Sequence, residues 1–216
     1  MKLFIGIPCS DLGRYRDFDN CLQKLVKPDD TIIHYQSGAS IAKNRNIIIR
    51  LAMQSHCTHI LFLDDDMVFD TDLIVRLISH DVDVVTAHCL IRYPPFQSVL
   101  IDGFDLANNL IVHNLLPGES GLIKIWASGL ACTLINCRVL EKFEEYTSIG
   151  FLHHDELSED ISFYMRLHEA GYDSYCDLNC HVGHHINAVI WPGGKITVNN
   201  QEITNAISSG YKTKSV

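Results

Sequence analysis

The sequence predicts an α/β domain built on a mostly parallel, twisted sheet with helices on both faces. Three observations lead there. Short apolar runs at residues 2–7, 31–35, 59–63 and 82–87 alternate with segments whose apolar residues recur at helical spacing, the pattern of β-α-β units. One run, Ile60-Leu61-Phe62-Leu63, reads as a buried parallel strand and stops in three consecutive carboxylates, Asp64, Asp65 and Asp66. At 216 residues the chain has the size of one ordinary domain and can bury a real core.

The elements follow in order. Residues 2–7 form a strand ended by Pro8, and residues 17–26 carry Phe18, Cys21, Leu22 and Leu25 on one helical face before Pro28. After the strand at 31–35, Ser40 caps a helix to about residue 54 whose Ile41, Ile48, Leu51 and Ala52 face inward. The strand at 59–63 delivers the Asp triplet, a helix covers 71–79, and 82–87 is another buried strand. Between residues 89 and 124 the pairs Pro94-Pro95, Asp102-Gly103, Asn108-Asn109 and Pro117-Gly118 signal turns, read as hairpins or long loops over a site. Order returns with strands at 123–127 and 130–135 and a helix at 138–146. A helix opened by Ser158-Glu159-Asp160 is closed by Gly171, and one or two short strands lie across 172–182.

Composition narrows the function classes. A formal net charge of −9 argues against a broad basic surface for nucleic acid. The opening Met1-Lys2-Leu3-Phe4-Ile5-Gly6-Ile7-Pro8 is too short for a secretory apolar region, and no run approaches the length of a membrane span. Eight cysteines, several of them inside expected strands and helices, fit a reducing cytoplasm better than a disulfide framework.

The chemistry concentrates at strand ends, where ligands bind in open α/β sheets. Adjacent carboxylates repel unless positive charge lies between them; a divalent cation, Mn²⁺ or Mg²⁺, with a phosphate-bearing ligand supplies it and takes hard oxygen ligands. The structural alternative is a solvated acidic turn capping the next helix through Asp70 and Asp72. Glu159 and Asp160 fit a helix start equally well, as acids in its positive first turn behind an N-cap at Ser158. Cys176, Cys180 and His184 suggest zinc, but four strand residues separate neighbours by about 13 Å, too far to share one tetrahedral ion. Cys57, Cys89, Cys132 and Cys137 read as small core residues.

Two longer segments add specificity. Gly129-Leu130-Ala131-Cys132-Thr133-Leu134-Ile135-Asn136-Cys137-Arg138 is a glycine-led strand running into a helix, and Glu159-Asp160-Ile161-Ser162-Phe163-Tyr164-Met165-Arg166 leads to Gly171-Tyr172. With Asp64-Asp65-Asp66 and Ala42-Lys43-Asn44-Arg45-Asn46, this ordered set resembles the GT-A glycosyltransferases, especially their family-2-like branch, over roughly residues 3–186. The resemblance implies a GT-A domain over 1–207, with a nucleotide-sugar-binding half (1–88), an acceptor-side half (89–207) and a mobile tail (208–216). It implies a nucleoside diphosphate sugar donor and a hydroxyl-bearing acceptor.

Residue by residue, the resemblance puts Pro8, Ser10 and Asp11 around the nucleotide base. Asp66 becomes a metal ligand, and Asp64 contacts the ribose or orients the cation, with Asp65 able to do either. Arg45 steadies the diphosphate or buttresses Asp64. Val182-Gly183-His184 looks like the Gly-His element that completes the metal site, with His185 and His181 behind it. Asp160 is the candidate general base, Glu159 the second; in a retaining enzyme Asp160 would only bind acceptor. On the acceptor side stand Arg92, His154 and Trp191. Short stand-alone enzymes of this kind occur in bacteria and phages, where a cytoplasmic location follows and acceptors range from glycans to hydroxymethylated bases in DNA. A glycan or small hydroxylated acceptor is the expectation here, with modified DNA as the alternative.

Two rival readings share the Asp triplet. A haloacid-dehalogenase-like phosphatase would use Asp64 as nucleophile and Asp66 as acid/base, but there the strand comes first in its domain and leads into Gly-Thr, whereas Met67-Val68 follow here. A non-catalytic nucleotide-sugar-binding module would need neither Asp160 nor His184 for chemistry.

Overall fold

The computed structural model describes residues 1–9, 15–93, 96–107, 109–146, 158–186, 188–190, 196–198 and 201–203. In chain order the elements are β1 (Leu3–Pro8), α1 (Arg16–Lys24), β2 (Ile32–Gln36), α2 (Ile41–Gln54), β3 (His59–Leu63), β4 (Met67–Val68), α3 (Leu73–Ser79) and β5 (Val84–His88). There follow β6 (Ile101–Phe104), β7 (Leu110–Val112), β8 (Leu122–Ile125), β9 (Cys132–Asn136), α4 (Cys137–Tyr146), α5 (Glu159–Glu169) and β10 (Ser174–His181). Short strands β11 (Gly183–His184), β12 (Ala188–Ile190), β13 (Ile196–Val198) and β14 (Gln201–Ile203) complete the described chain.

A seven-stranded sheet with order β2-β1-β3-β9-β5-β10-β8 forms the centre. Strands β1, β2, β3, β5 and β10 run one way, whereas β9 and β8 oppose their neighbours. This is the mostly parallel α/β sheet expected from the sequence. Strand β9, between β3 and β5, has its first residue level with the last of β3, because Cys132 pairs with Leu63. The glycine-led segment therefore enters the sheet beside the Asp triplet, and the Asp64 N–H donates to the Ala131 carbonyl at 2.9 Å.

Period-two alternation divides the core. Phe4, Ile60, Phe62, Val84 and Ile135 face the side covered by α2, α4 and α5, where Ile48, Ala52, Leu140, Ile161 and Leu167 meet them. Leu3, Ile5, Ile7, Leu61, Leu63, Val85 and Leu134 face the side covered by α1 and α3, against Phe18, Leu22, Leu73 and Leu77. Both faces of β1, β3 and β5 are buried, so these strands read as continuous apolar runs.

Gly6 shows how closely α2 lies on β1: a Cβ there would stand 2.2 Å from Ile48 Cγ2 and 3.3 Å from Ile48 Cβ, both in the core. Gly6→Ala should therefore overpack the layer and lower stability by about 1–3 kcal/mol, read as a fall of several degrees in the thermal melt. An unchanged melting temperature would mean that α2 moves away freely.

The segment after β5 contains the expected hairpin, β6–β7. Its far side is fastened by His113, whose Nδ1 lies 2.8 Å from Asp102 Oδ1 and whose Nε2 lies 3.2 Å from Glu119 Oε1. Burial disfavours the imidazolium, but the two carboxylates outweigh it and raise the His113 pKa. All eight cysteines are free, and burial pushes the Cys89, Cys137 and Cys180 thiols up to about 12, which leaves them inert as nucleophiles. Among the described residues no helix is long and apolar enough to cross a membrane.

Candidate active site

The site is assembled at the edge of the sheet where β1, β3 and β5 end and β9 begins. Strand β3 delivers Asp64, Asp65 and Asp66, and the chain turns at once into β4. Strand β4 pairs antiparallel with β11, setting His184 opposite Met67. This short ribbon carries His184 across 118 residues of sequence to Asp66: His184 Nε2 lies 3.1 Å from Asp66 Oδ2. The His185 N–H donates to the Asp66 carbonyl at 2.9 Å and locks the register.

The other ring nitrogen of His184 settles its orientation. Nδ1 lies 3.1 Å from the Leu90 carbonyl, an acceptor only, so Nδ1 carries a proton; the bond to the Asp66 carboxylate needs a second proton, on Nε2. The Nδ1–H bond to a backbone carbonyl fixes the plane of the ring, and Nε2 could ligate a cation only after giving up its proton. The hydrogen bond to Asp66 raises the His184 pKa above its ordinary value, against burial. Burial likewise opposes the charge on Asp66, but His184 and Arg92 together hold its carboxyl below the usual range. Arg92 Nη1 reaches the same Asp66 Oδ2 at 2.8 Å.

A second cluster lies beneath. Arg45, on the inward face of α2, is 2% exposed. Its Nη2 donates to Asp64 Oδ1 at 2.9 Å and Oδ2 at 3.2 Å, and its Nη1 to Glu159 Oε1 at 2.5 Å. The Phe62 ring centroid is 5.8 Å from the guanidinium carbon. Burial works against the Arg45 charge, yet Asp64, Glu159 and Asp160 outweigh it and raise its pKa. Glu159 is pushed up by its own burial, with Arg45 pulling the other way. The start of α5 is thus tied to the end of β3 through one guanidinium.

Asp160 sits next to that tie. Ser158 holds the N-cap position of α5, but its hydroxyl bonds to Asp160 Oδ1 instead of a helix N–H; the same Oδ1 accepts the Ile161 N–H at 2.8 Å. The second oxygen, Oδ2, faces Gly129, where a Cβ would lie 3.8 Å from it. Gly129 keeps the space before that oxygen clear.

The structure thus brings together Asp64, Arg45 and Glu159, with Asp160 alongside, and separately Asp66, His184 and Arg92. Pro8 ends β1 at the same edge of the sheet, with the Cys9 N–H donating to the Gln36 carbonyl at 2.8 Å. Ser10, Asp11, His154, Trp191 and the tail 208–216 lie outside the described residues. Of the other histidines, His185 stacks on Tyr15 with centroids 4.2 Å apart, and His181 meets the His88 ring edge-on at 5.9 Å. Cys176 and Cys180 are both within β10 and well buried, so the zinc arrangement does not form from them. No local pattern pointed to Tyr15 or to the Leu90 carbonyl; the contact between Arg92 and Asp66 was equally hidden, although Arg92 itself stood out as a cation in an irregular segment.

Among the described residues no group of three or more His, Cys, Asp or Glu side chains is placed to hold a metal ion. The pair Asp66 and His184 nevertheless fits one whose remaining ligands come from phosphate and water, as is usual for Mg²⁺ beside diphosphates.

Comparison with known proteins bears on the fold. The family model Anp1 matches residues 23–113, less than half of the chain. No curated protein matches in sequence. Among solved structures, A197 from STIV superposes with a TM-score of 0.58 at 20% identity, covering 97% of this chain and 99% of that one. TarS 1-349 of S. aureus gives a TM-score of 0.54 at 13% identity over 85% of this chain and 60% of that one. The same protein in complex with UDP-GlcNAc gives a TM-score of 0.52 at 13% identity, with 85% and 58% covered. This chain spans about three fifths of that TarS fragment. The likeness shows the GT-A fold, and together with the Anp1 match it supports a GT-A glycosyltransferase.

Proposed function

We propose that this chain moves a sugar from a nucleoside diphosphate sugar to a hydroxyl acceptor, with Mn²⁺ or Mg²⁺ held by Asp66 and His184. The observation that carries the reading is the convergence of His184 Nε2 on Asp66 Oδ2 at 3.1 Å, at the end of the strand that also presents Asp64 to Arg45. That TarS is known in complexes with UDP and with UDP-GlcNAc supports a nucleotide-sugar donor here. A bound divalent cation would supply Lewis-acid stabilisation of the charge that grows on the departing diphosphate.

The chain's own residues do the rest. Asp66 and His184 position the diphosphate end of the donor, and Asp64, immobilised by Arg45, is placed for the ribose. Asp160 Oδ2 takes the proton of the acceptor hydroxyl as its oxygen bonds to the anomeric carbon and the bond from that carbon to the diphosphate oxygen breaks. In this role Glu159 orients rather than reacts, because it is committed to Arg45.

The acceptor is a glycan or a small hydroxylated molecule. Asp102 and Glu119 meet at His113, and the same hairpin and following loop carry Asp105 and exposed Leu106, Leu110, Ile111 and Leu116, an acidic and apolar surface ill suited to the DNA backbone. A 5-hydroxymethylated pyrimidine in DNA is the competing acceptor. Assay with radiolabelled nucleotide sugars against free saccharides and hydroxymethylated DNA, with and without EDTA, tests the whole reading. Asp66→Ala should cut turnover by about 10²-fold, the scale on which losing charge stabilisation acts, and should abolish Mn²⁺ binding measured without substrate. EDTA-resistant turnover, or full activity in Asp66→Ala, would remove the metal assignment; salt-sensitive labelling of DNA alone would replace the acceptor.

A further inference from the structure

Arg92 was expected on the acceptor wall, yet its guanidinium rests on the oxygen to which His184 is directed. Nη1 of Arg92 is 2.8 Å from Asp66 Oδ2 and Nε2 of His184 is 3.1 Å from the same atom. A divalent ion drawn between Asp66 and His184 would meet the Arg92 guanidinium on the oxygen that faces His184, and the two like charges would oppose each other there.

The way the 90–92 segment is built determines which part can move. The Leu90 carbonyl fixes His184 Nδ1, the Ile91 N–H donates to the Gln97 carbonyl at 3.0 Å, and Leu90 bridges to Ser98. The backbone is therefore pinned on both sides of the ribbon that carries His184. The Arg92 side chain is not enclosed in this way: it is 44% exposed, against 14% for Asp66, and its guanidinium carbon stands 5.8 Å from the Tyr93 ring centroid. Of the groups around Asp66 Oδ2, the Arg92 side chain is therefore the more exposed, whereas the backbone that orients His184 is bonded in place.

We infer that Arg92 is the resident counter-ion of Asp66, displaced when a divalent cation binds, and that the released guanidinium then grips the donor's diphosphate. Arginine keeps its charge at any accessible pH, and its planar fork matches the paired oxygens of a phosphate. The exchange keeps Asp66 neutralised before the metal arrives and turns metal arrival into the signal that frees an anion-binding group. Arg92 is thereby a donor-side residue. This rests on the metal and donor reading above.

Calorimetric titration of the intact chain with MnCl₂ alone, and with UDP in the presence of saturating Mn²⁺, tests the exchange. In Arg92→Ala the metal no longer competes with a guanidinium, and Mn²⁺ alone should bind about two- to fivefold tighter, the scale of a partly exposed ion pair. UDP should bind about tenfold weaker to the same variant, for want of a charge-assisted contact. Opposite signs in one variant cannot come from a general loss of structure. Arg92→Lys, which keeps a point charge without the fork, should leave Mn²⁺ affinity close to that of the unsubstituted chain and recover part of the UDP affinity. Unchanged or weaker Mn²⁺ binding by Arg92→Ala overturns the exchange while leaving the proposed function standing. Failure of the unsubstituted chain to bind either Mn²⁺ or UDP would remove that function, and the exchange with it.

Discussion

Replacing Arg45 with methionine should cost about 3–5 kcal/mol of folding stability, because it leaves the buried carboxylate of Glu159 and the partly buried one of Asp64 without their shared cation. For a chain of this length that corresponds to a fall of roughly 6–20 °C in melting temperature. Glu159, already shifted upward by burial, would rise further and take up a proton, whereas Asp64 at the strand end would lose the two bonds that fix its orientation. The triple variant Arg45→Met, Asp64→Asn, Glu159→Gln removes all three charges together and should recover most of the lost stability, since an uncharged set costs far less to bury than an unbalanced one. That recovery separates a charge network from a simple packing role: a triple variant as unstable as Arg45→Met alone would show that the loss is one of shape. A melt of Arg45→Met indistinguishable from that of the unsubstituted chain would remove the network from the account.

Much of this arrangement could be anticipated from the sequence, and the parts that could not share a physical cause. Strands β1, β3 and β5 were visible because both their faces are buried, which makes them uninterrupted apolar runs, and α2 and α5 because Ser40 and Gly171 mark their ends as a cap and a left-handed turn. His184 was traceable to Asp66 only through the resemblance, since the contact depends on a two-residue ribbon, β4 with β11, whose pairing no local pattern announces. Arg45 could be placed near Asp64 but not bridged to Glu159, because that bond joins α2 to α5 across 114 residues. The reversed direction of β9 was equally hidden: a five-residue apolar strand has the same composition in either direction, and only the long excursion between residues 89 and 131 decides how it enters the sheet. The phosphatase alternative shared the Asp triplet but not its surroundings. In this fold β3 is the third strand in chain order, and both carboxylate oxygens of Asp64 accept from Arg45, which leaves neither poised as a nucleophile.

Asp160→Asn should lower turnover by about 10²–10⁴-fold, the usual loss when a general base is removed, while leaving donor binding and the fold intact. The structure makes this an unusually clean substitution. Asp160 Oδ1 accepts the Ile161 N–H at 2.8 Å, and an asparagine carbonyl oxygen can keep that bond, so this donor in the first turn of α5 stays satisfied. What changes is the second oxygen, which faces the open space at Gly129 and would become an NH₂ group unable to take a proton. The effect should therefore fall on kcat with the donor's Kd unchanged, whereas a positioning role would move both. Arg45 feels the charge of Asp160, so the asparagine variant will also loosen the Arg45 cluster slightly; a thermal melt run beside the kinetics measures that contribution separately. A variant that folds, binds UDP as well as the unsubstituted chain and still turns over at full rate would take the base away from Asp160. A second substitution tests the same point from the other side: Gly129→Val packs a branched side chain against Oδ2, where a Cβ alone would lie 3.8 Å away, and should mimic the kinetic loss while leaving the carboxylate chemically unchanged, provided the acceptor hydroxyl approaches through that gap.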